Sequence, residues 1–376
     1  MKEADTTKKR LASLDVLRGL DLWFLIIVGP LLGTFLDCCG IEWGFFERQF
    51  SHVQWEGFVA WDLIMPLFMF MSGITIPFSL ARFNSGQKPG KDFYIRLAKR
   101  FALLFLFGWI VQGNILNLDF RHFHPFANTL QAIAVGYVGA ALMFAYLRPK
   151  GQIAVTLLLF LGYIAAFAFT GMNLDPETNI AMEVDKAVLG CHRDGVVWKA
   201  DGSWSFNPWY QYTWILSSLN FIVTVMLGCF AGEIIRKGSD EATGRKALIL
   251  AGTGAALMAA GLAMSPFFPI IKKIWSSSMT LYAGGLSFLL IAAVYYIVDV
   301  RKWGGEWNWA KWFGMNSIAV YVISHVLNFN SISTSLLHGL EHLTGVMYPF
   351  IIDLANSLIL ILIMRYMHKH RMFLKV

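Results

Sequence analysis

Residues 51–77 read SHVQWEGFVAWDLIMPLFMFMSGITIP. A histidine, His52, stands in a polar, tryptophan-flanked loop. An apolar run of about twenty residues follows, the length a helix needs to cross a hydrocarbon core. One acid, Asp62, lies near the start of that run. A charge inside lipid is costly and normally faces a cavity or a partner. An imidazole titrates near neutrality, which suits it to proton transfer. A carboxylate ten residues on could orient it, which suggests chemistry at a membrane face; the other reading is a surface-loop histidine with no role.

The rest of the chain supports a membrane setting. Of its 376 residues 56% are hydrophobic and 15% charged, where a soluble domain carries about 25% charged residues. The reading is an all-α, polytopic integral membrane protein forming a single domain, 1–376, with about ten transmembrane helices. The expected spans are 15–36, 58–81, 97–117, 127–147, 152–171, 212–235, 247–266, 278–298, 312–329 and 346–367. They lack the period-2 alternation of barrel strands, and helices are the other way to satisfy backbone polar groups in lipid. Asn84-Ser85-Gly86, Lys88-Pro89-Gly90 and Arg148-Pro149-Lys150-Gly151 supply stops. Lys8, Lys9 and Arg10 precede the first run, which is too long for a signal-peptide core and has no A-x-A site, so an uncleaved first helix is expected.

Charge placement gives orientation. On this span map, 24 of the 31 Lys and Arg residues fall on one side. Arg48, Arg121, Lys186, Arg193, Lys199, Lys272 and Lys273 fall on the other. Cytoplasmic loops collect Lys and Arg, so both termini are expected in the cytoplasm. The net charge of +7 then records topology, and nucleic-acid binding is excluded as its explanation. The loop 172–211 is the longest on the far side and is rich in Asp, Trp, Gly and Asn; loops of that length are often functional.

Further polar residues fall inside the expected spans. Asp15, Arg18 and Asp21 form a set in the first helix, with Asp15 and Arg18 on one face; a structural ion pair and an anion-binding Arg18 are the two readings. Asn114, Gln131, Asn220, Asn316 and Ser317 are polar lining or ties between helices. His325 accompanies the Asn316-Ser317 pair, whereas His122 and His124 read as solvated loop histidines. Gly228-x-x-x-Gly232 permits close helix approach and allows a homodimer. Any disulfide would join Cys191 to Cys38 or Cys39, and no CxxC or HExxH spacing marks a metal site.

These residues also carry a resemblance. The opening RLASLDVLRGLDLWFLIIV resembles the start of the heparan-α-glucosaminide N-acetyltransferase family and its bacterial relatives. SHVQWEGFVAWDLIMPLFMFMSGITI resembles the family's histidine segment, with Glu56 in place of the usual Asn and Gly29 near the position of a loop Asn. TLQAIAVGYVGAAL resembles its L-Q-R helix, with Ala132 for Arg. LNFIVTVMLGCFAGEIIR, KKIWSSSMTLYAGGLSFLL and WFGMNSIAVYVISH follow in order, so the likeness runs along the whole chain.

The resemblance implies an acyltransferase of the bacterial inner membrane that takes acetyl-CoA from the cytoplasm and acetylates an amino sugar or oligosaccharide on the other side. The family's catalytic histidine aligns with His52, and Asp62 would hold its tautomer. Arg18, Arg82, Arg96, Arg100 and Arg236 are expected near the cosubstrate phosphates, since guanidinium binds phosphate bidentately. Asn316 or Ser317 would steady the oxyanion. Competing readings are a polytopic transporter of a sugar or related solute and a structural partner in an envelope complex.

Overall fold

The computed structural model describes residues 11–42, 44–84, 87–237, 242–303, 305 and 307–374. Lys8, Lys9 and Arg10, and the turn residues Ser85 and Gly86, lie outside the described residues. Among the described residues thirteen helices of eight or more residues organise the fold: α1 (Ala12–Cys38), α2 (Ala60–Ser79), α3 (Lys91–Val111), α4 (Thr129–Tyr146), α5 (Pro149–Phe169), α6 (Ile180–Leu189), α7 (Ser218–Arg236), α8 (Gly244–Met264), α9 (Ser277–Val300), α10 (Asn308–Met315), α11 (Ser317–Val326), α12 (Phe329–Leu337) and α13 (Tyr348–Lys369). One small antiparallel hairpin, β1 (Val196–Trp198) and β2 (Trp204–Phe206), sits in the long loop, with Val197 opposite Ser205. The protein is an all-α polytopic membrane protein.

Among the described residues eight helical stretches, the last running through Phe329–Lys369, are long and apolar enough to cross a membrane, rather than ten. The two expected spans that fall short do so for visible reasons. Helix α3 is long, but its first three turns carry Lys91, Asp92, Arg96, Lys99 and Arg100, and it ends at Val111 before Asn114 turns left-handed at φ 58°. Asn114 is therefore a loop residue. The expected 312–329 span is broken into α10 and α11 at Asn316, whose side-chain oxygen accepts the Leu374 N–H.

The expected 212–235 span also starts late, at Ser218. The aromatic run before it is held by other partners: the Asp185 carboxylate takes the N–H groups of Trp214 and Ile215 at 2.8 and 2.9 Å, and Thr213 N–H donates to Lys273 O.

Helices α2 and α7 form the buried centre and also pack on α4. Gly73 of α2 meets the Val225 carbonyl, and Gly228 and Gly232 of α7 meet the carbonyls of Phe70 and Ile74. A Cβ on Gly228 would overlap the Phe70 oxygen. The small-x-x-x-small pair is thus spent inside the chain, on α2. Around this centre, α8 packs on α9 and α1 on α10. All four cysteines are free thiols.

The alternating helices give the bundle two different ends. One gathers the starts of α1 and α8 with the ends of α7 and α9: Ser13 N–H donates to Asp299 and Lys246 Nζ donates to Ile235 O. The other end gathers the histidine loop, the 172–211 loop and residues 267–276. There Trp55 Nε1 donates to Leu174 O and Gly57 N–H to Ile270 O.

Candidate active site

The site is built on the first turn of α2. Val59 is extended and Ala60 begins the helix, which makes Asp62 the third helical residue. An acid there is favoured by the helix dipole and can reach back to the free N–H before the helix. Asp62 does so: its Oδ2 accepts the Val59 N–H at 3.3 Å. Its Oδ1 lies 2.7 Å from His52 Nδ1 and 3.3 Å from Lys272 Nζ. Lys272 Nζ is in turn 3.2 Å from His52 Nδ1. Asp62 and Lys272 are 2% and 9% exposed at the side chain, while His52 is 43% exposed.

Two loops far apart in the chain make this meeting possible. Gly57, at φ 122°, occupies a conformation that side chains other than glycine's resist. Its hydrogen bond to Ile270 docks the histidine loop on the segment that carries Lys272. That segment is pinned by Ser276, whose Oγ donates to Pro269 O and accepts the Ile271 N–H. Burial pulls the Lys272 ammonium down to about 8, against the opposing pull of Asp62. The carboxylate at 2.7 Å favours hydrogen on His52 Nδ1, which leaves the Nε2 lone pair to accept a proton, while the Lys272 ammonium, a donor only, favours the other tautomer from the longer distance of 3.2 Å.

A cavity of about 670 Å³ opens from this group. His52, Lys272, Tyr210 and Tyr212 line it at the loop end, and Ser79 and Arg100 line it toward the basic end. Trp61 and Ser79 both face it, and 18 helical residues at ~1.5 Å each place them about 27 Å apart. Its middle is apolar, formed by Leu25, Ile64, Met65, Phe68, Leu104 and Ile133. Arg100 lies 3.8 Å over the Tyr137 ring, and its buried Nε has no hydrogen-bond partner among the described residues.

The expected site residues separate into two groups. His52, Arg18, Arg100 and Ser317 line the cavity, with Asp62 directly behind His52. Arg18 donates to Met71 O at 3.2 Å and lies 3.9 Å from Asp15, so the ion pair is present and the same side chain also faces the cavity. The others do not line the cavity. Arg82 is exposed over Phe83, Arg96 is exposed, and Arg236 pairs with Glu233 at 3.0 Å. Asn316 is buried beside the cavity with its oxygen already used. Asp21 is buried in α1, away from the cavity lining.

Gln131 and Asn220 serve as ties. Gln131 accepts the Ala127 N–H, and Asn220 donates to Trp275 O. His325 lines the cavity, and His122 is exposed as expected. His124, by contrast, is buried and hydrogen-bonded through Nδ1 to His192 O, because the 172–211 loop folds over it.

Sequence reasoning missed Lys272, Tyr210, Tyr212 and Arg193. The long loop is an ordered cap: fully buried Arg193 donates to the carbonyls of Tyr210 and Tyr212 and aims both rings at the cavity. Lys272 did leave a signal. Two lysines in FFPIIKKIW interrupt an apolar stretch on the side where lysines are scarce.

No protein-family model matches the chain. It is similar to heparan-alpha-glucosaminide N-acetyltransferase of Mus musculus, at 24% identity over 376 residues, covering 86% of this chain and 54% of that protein. It is likewise similar to the Homo sapiens protein of the same name, at 24% identity over 368 residues, covering 83% of this chain and 52% of that one. The chain spans about half the length of the curated relatives it matches. This distant similarity along most of the chain is consistent with a family relation.

Proposed function

We propose that the protein is a transmembrane acetyltransferase that moves an acetyl group from acetyl-CoA to an amino sugar or glycan. The observation that carries the reading is the single cavity that joins His52, backed by Asp62, to Arg18 and Arg100. The phosphates of CoA stay at the basic end, where Arg100 has an unused donor. The pantetheine arm runs through the apolar middle and brings the thioester to His52. The names of the relatives supply the acetyl group and the glucosamine-type acceptor. On this reading the basic end and both termini are cytoplasmic, the membrane is a bacterial inner membrane, and the acceptor enters from the periplasm.

The chemistry follows from the tautomer. The acceptor nitrogen attacks the thioester carbonyl carbon while His52 Nε2 takes its proton. The C–S bond then breaks, and the imidazolium returns the proton to the thiolate, which leaves as free CoA. Direct transfer is favoured over an acetyl-histidine intermediate, because His52 is 43% exposed and water would hydrolyse it.

The test is to incubate the purified protein in lipid with labelled acetyl-CoA and a panel of amino sugars. Acetylated product from the parent and none from His52→Ala is the expected result. No product with any acceptor, together with acceptor uptake into proteoliposomes, would replace the enzyme reading with a transporter. Release of CoA in a burst without acceptor would replace direct transfer with an acetyl carrier.

A further inference from the structure

Lys272 is the third member of the group around Asp62, and the reaction above gives it no part. Its ammonium and the His52 Nδ1–H converge on the same carboxylate oxygen, at 3.3 and 2.7 Å. The two nitrogens are themselves 3.2 Å apart. Two tyrosines and a second lysine, Lys273, stand around them. Tyr212 lines the same cavity and is pushed up to about 12 by burial, so it is neutral. Tyr210 is likewise pushed up by burial, and Lys273 donates to Gln211 Oε1 at 2.8 Å while its charge also acts on Asp62. Of the two lysines only Lys272 is in direct contact with both Asp62 and His52, so it is the closer counter-charge to the pair.

We propose that Lys272 is a positioning residue that keeps His52 available as a base by neutralising Asp62. A bare carboxylate at 2.7 Å orients an imidazole but also stabilises its protonated form. A base that is already protonated accepts nothing. With the ammonium of Lys272 against Nδ1, an imidazolium meets a like charge as well as an opposite one. Lys272 is an ammonium at neutral pH and releases its proton in mild alkali, near 8.

The inference rests on His52 as the base, but its test does not need turnover. Diethyl pyrocarbonate modifies only the unprotonated imidazole, and the exposed His52 side chain is open to it. Carbethoxylation of His52 in the full-length protein is followed by peptide mass spectrometry across pH for wild type, K272Q, K272R and D62N. K272Q, which leaves Asp62 unbalanced, is expected to raise the midpoint by about one pH unit, so that modification on the acid limb slows about tenfold. K272R, which keeps the charge, should follow wild type. D62N, which leaves the ammonium unbalanced, should lower the midpoint.

A midpoint that K272Q leaves in place overturns the proposal. If K272Q does not give a monodisperse protein, K272M takes its place, and a midpoint that it leaves unchanged has the same force. The acid limb of kcat/KM for acetyl transfer should move with the K272Q midpoint. A shifted midpoint in a protein that transfers no acetyl group would refute the proposed function and leave the role of Lys272 standing.

Discussion

The two ends of the cavity differ in how their charges are arranged. At the loop end three ionisable side chains from three segments meet within 3.3 Å, two of them nearly excluded from solvent. At the basic end cations are abundant, yet of the five arginines expected there only Arg18 and Arg100 line the cavity. Arg82 and Arg96 stay at the surface, and Arg236 is taken by Glu233. Abundant charge at a membrane face reports topology. A site is marked instead by charge that the fold has gone to the expense of burying.

Several measurements would break or sharpen that contrast. The largest effect is expected at the loop end. His52→Ala should cut acetyl transfer by about 10³-fold while acetyl-CoA binding, read by calorimetry, is retained. A parallel loss of binding would show that the two ends do not divide the work.

Both ends hang from α2, so the next effect tests the frame itself. Gly228→Leu forces α7 off the Phe70 carbonyl and should cost about 3 kcal/mol, seen as a lower unfolding temperature in detergent. Within the basic end, Arg100→Met should raise KM for acetyl-CoA about tenfold, whereas Arg82→Met and Arg96→Met should stay within about a factor of two. Equal effects of all three would restore the simple picture of a diffuse basic face.

The smallest effect concerns pH and stability. The unfolded chain holds the Lys272 proton up to about 10.4, and the folded chain releases it near 8. Between those values the unfolded state binds more protons, so stability rises with pH from about 8 to 10. The unfolding temperature of wild type should therefore gain on that of K272Q across this range.

Much of the fold was legible because α2, α4, α5, α8 and α9 are apolar runs with clear stops. The His52–Asp62 relation was legible too, since both residues sit in one stretch and the helix start fixes the carboxylate beside the loop. Lys272 was not. Its place depends on a hydrogen bond from Gly57 to Ile270, more than two hundred residues away, and no local pattern encodes it. The late start of α7 was hidden for a similar reason: Asp185, from the long loop, takes the backbone donors of an aromatic run that would otherwise read as helix. The break at Asn316 depends on a contact with Leu374 at the far end of the chain.

The apolar middle of the cavity has an electrical consequence. Moving one elementary charge across a membrane potential costs or yields about 2.3 kcal/mol per 100 mV. In the proposed reaction the phosphates never pass Leu25, Met65, Phe68 and Ile133, and the proton goes from acceptor nitrogen to thiolate through His52 at one end. An acetyl group is handed one way and a hydrogen returns on the CoA thiol the other way, so no net charge passes between the compartments. If the protein carries out the proposed transfer, turnover in vesicles should be indifferent to the voltage across them, in an energised or a collapsed membrane alike.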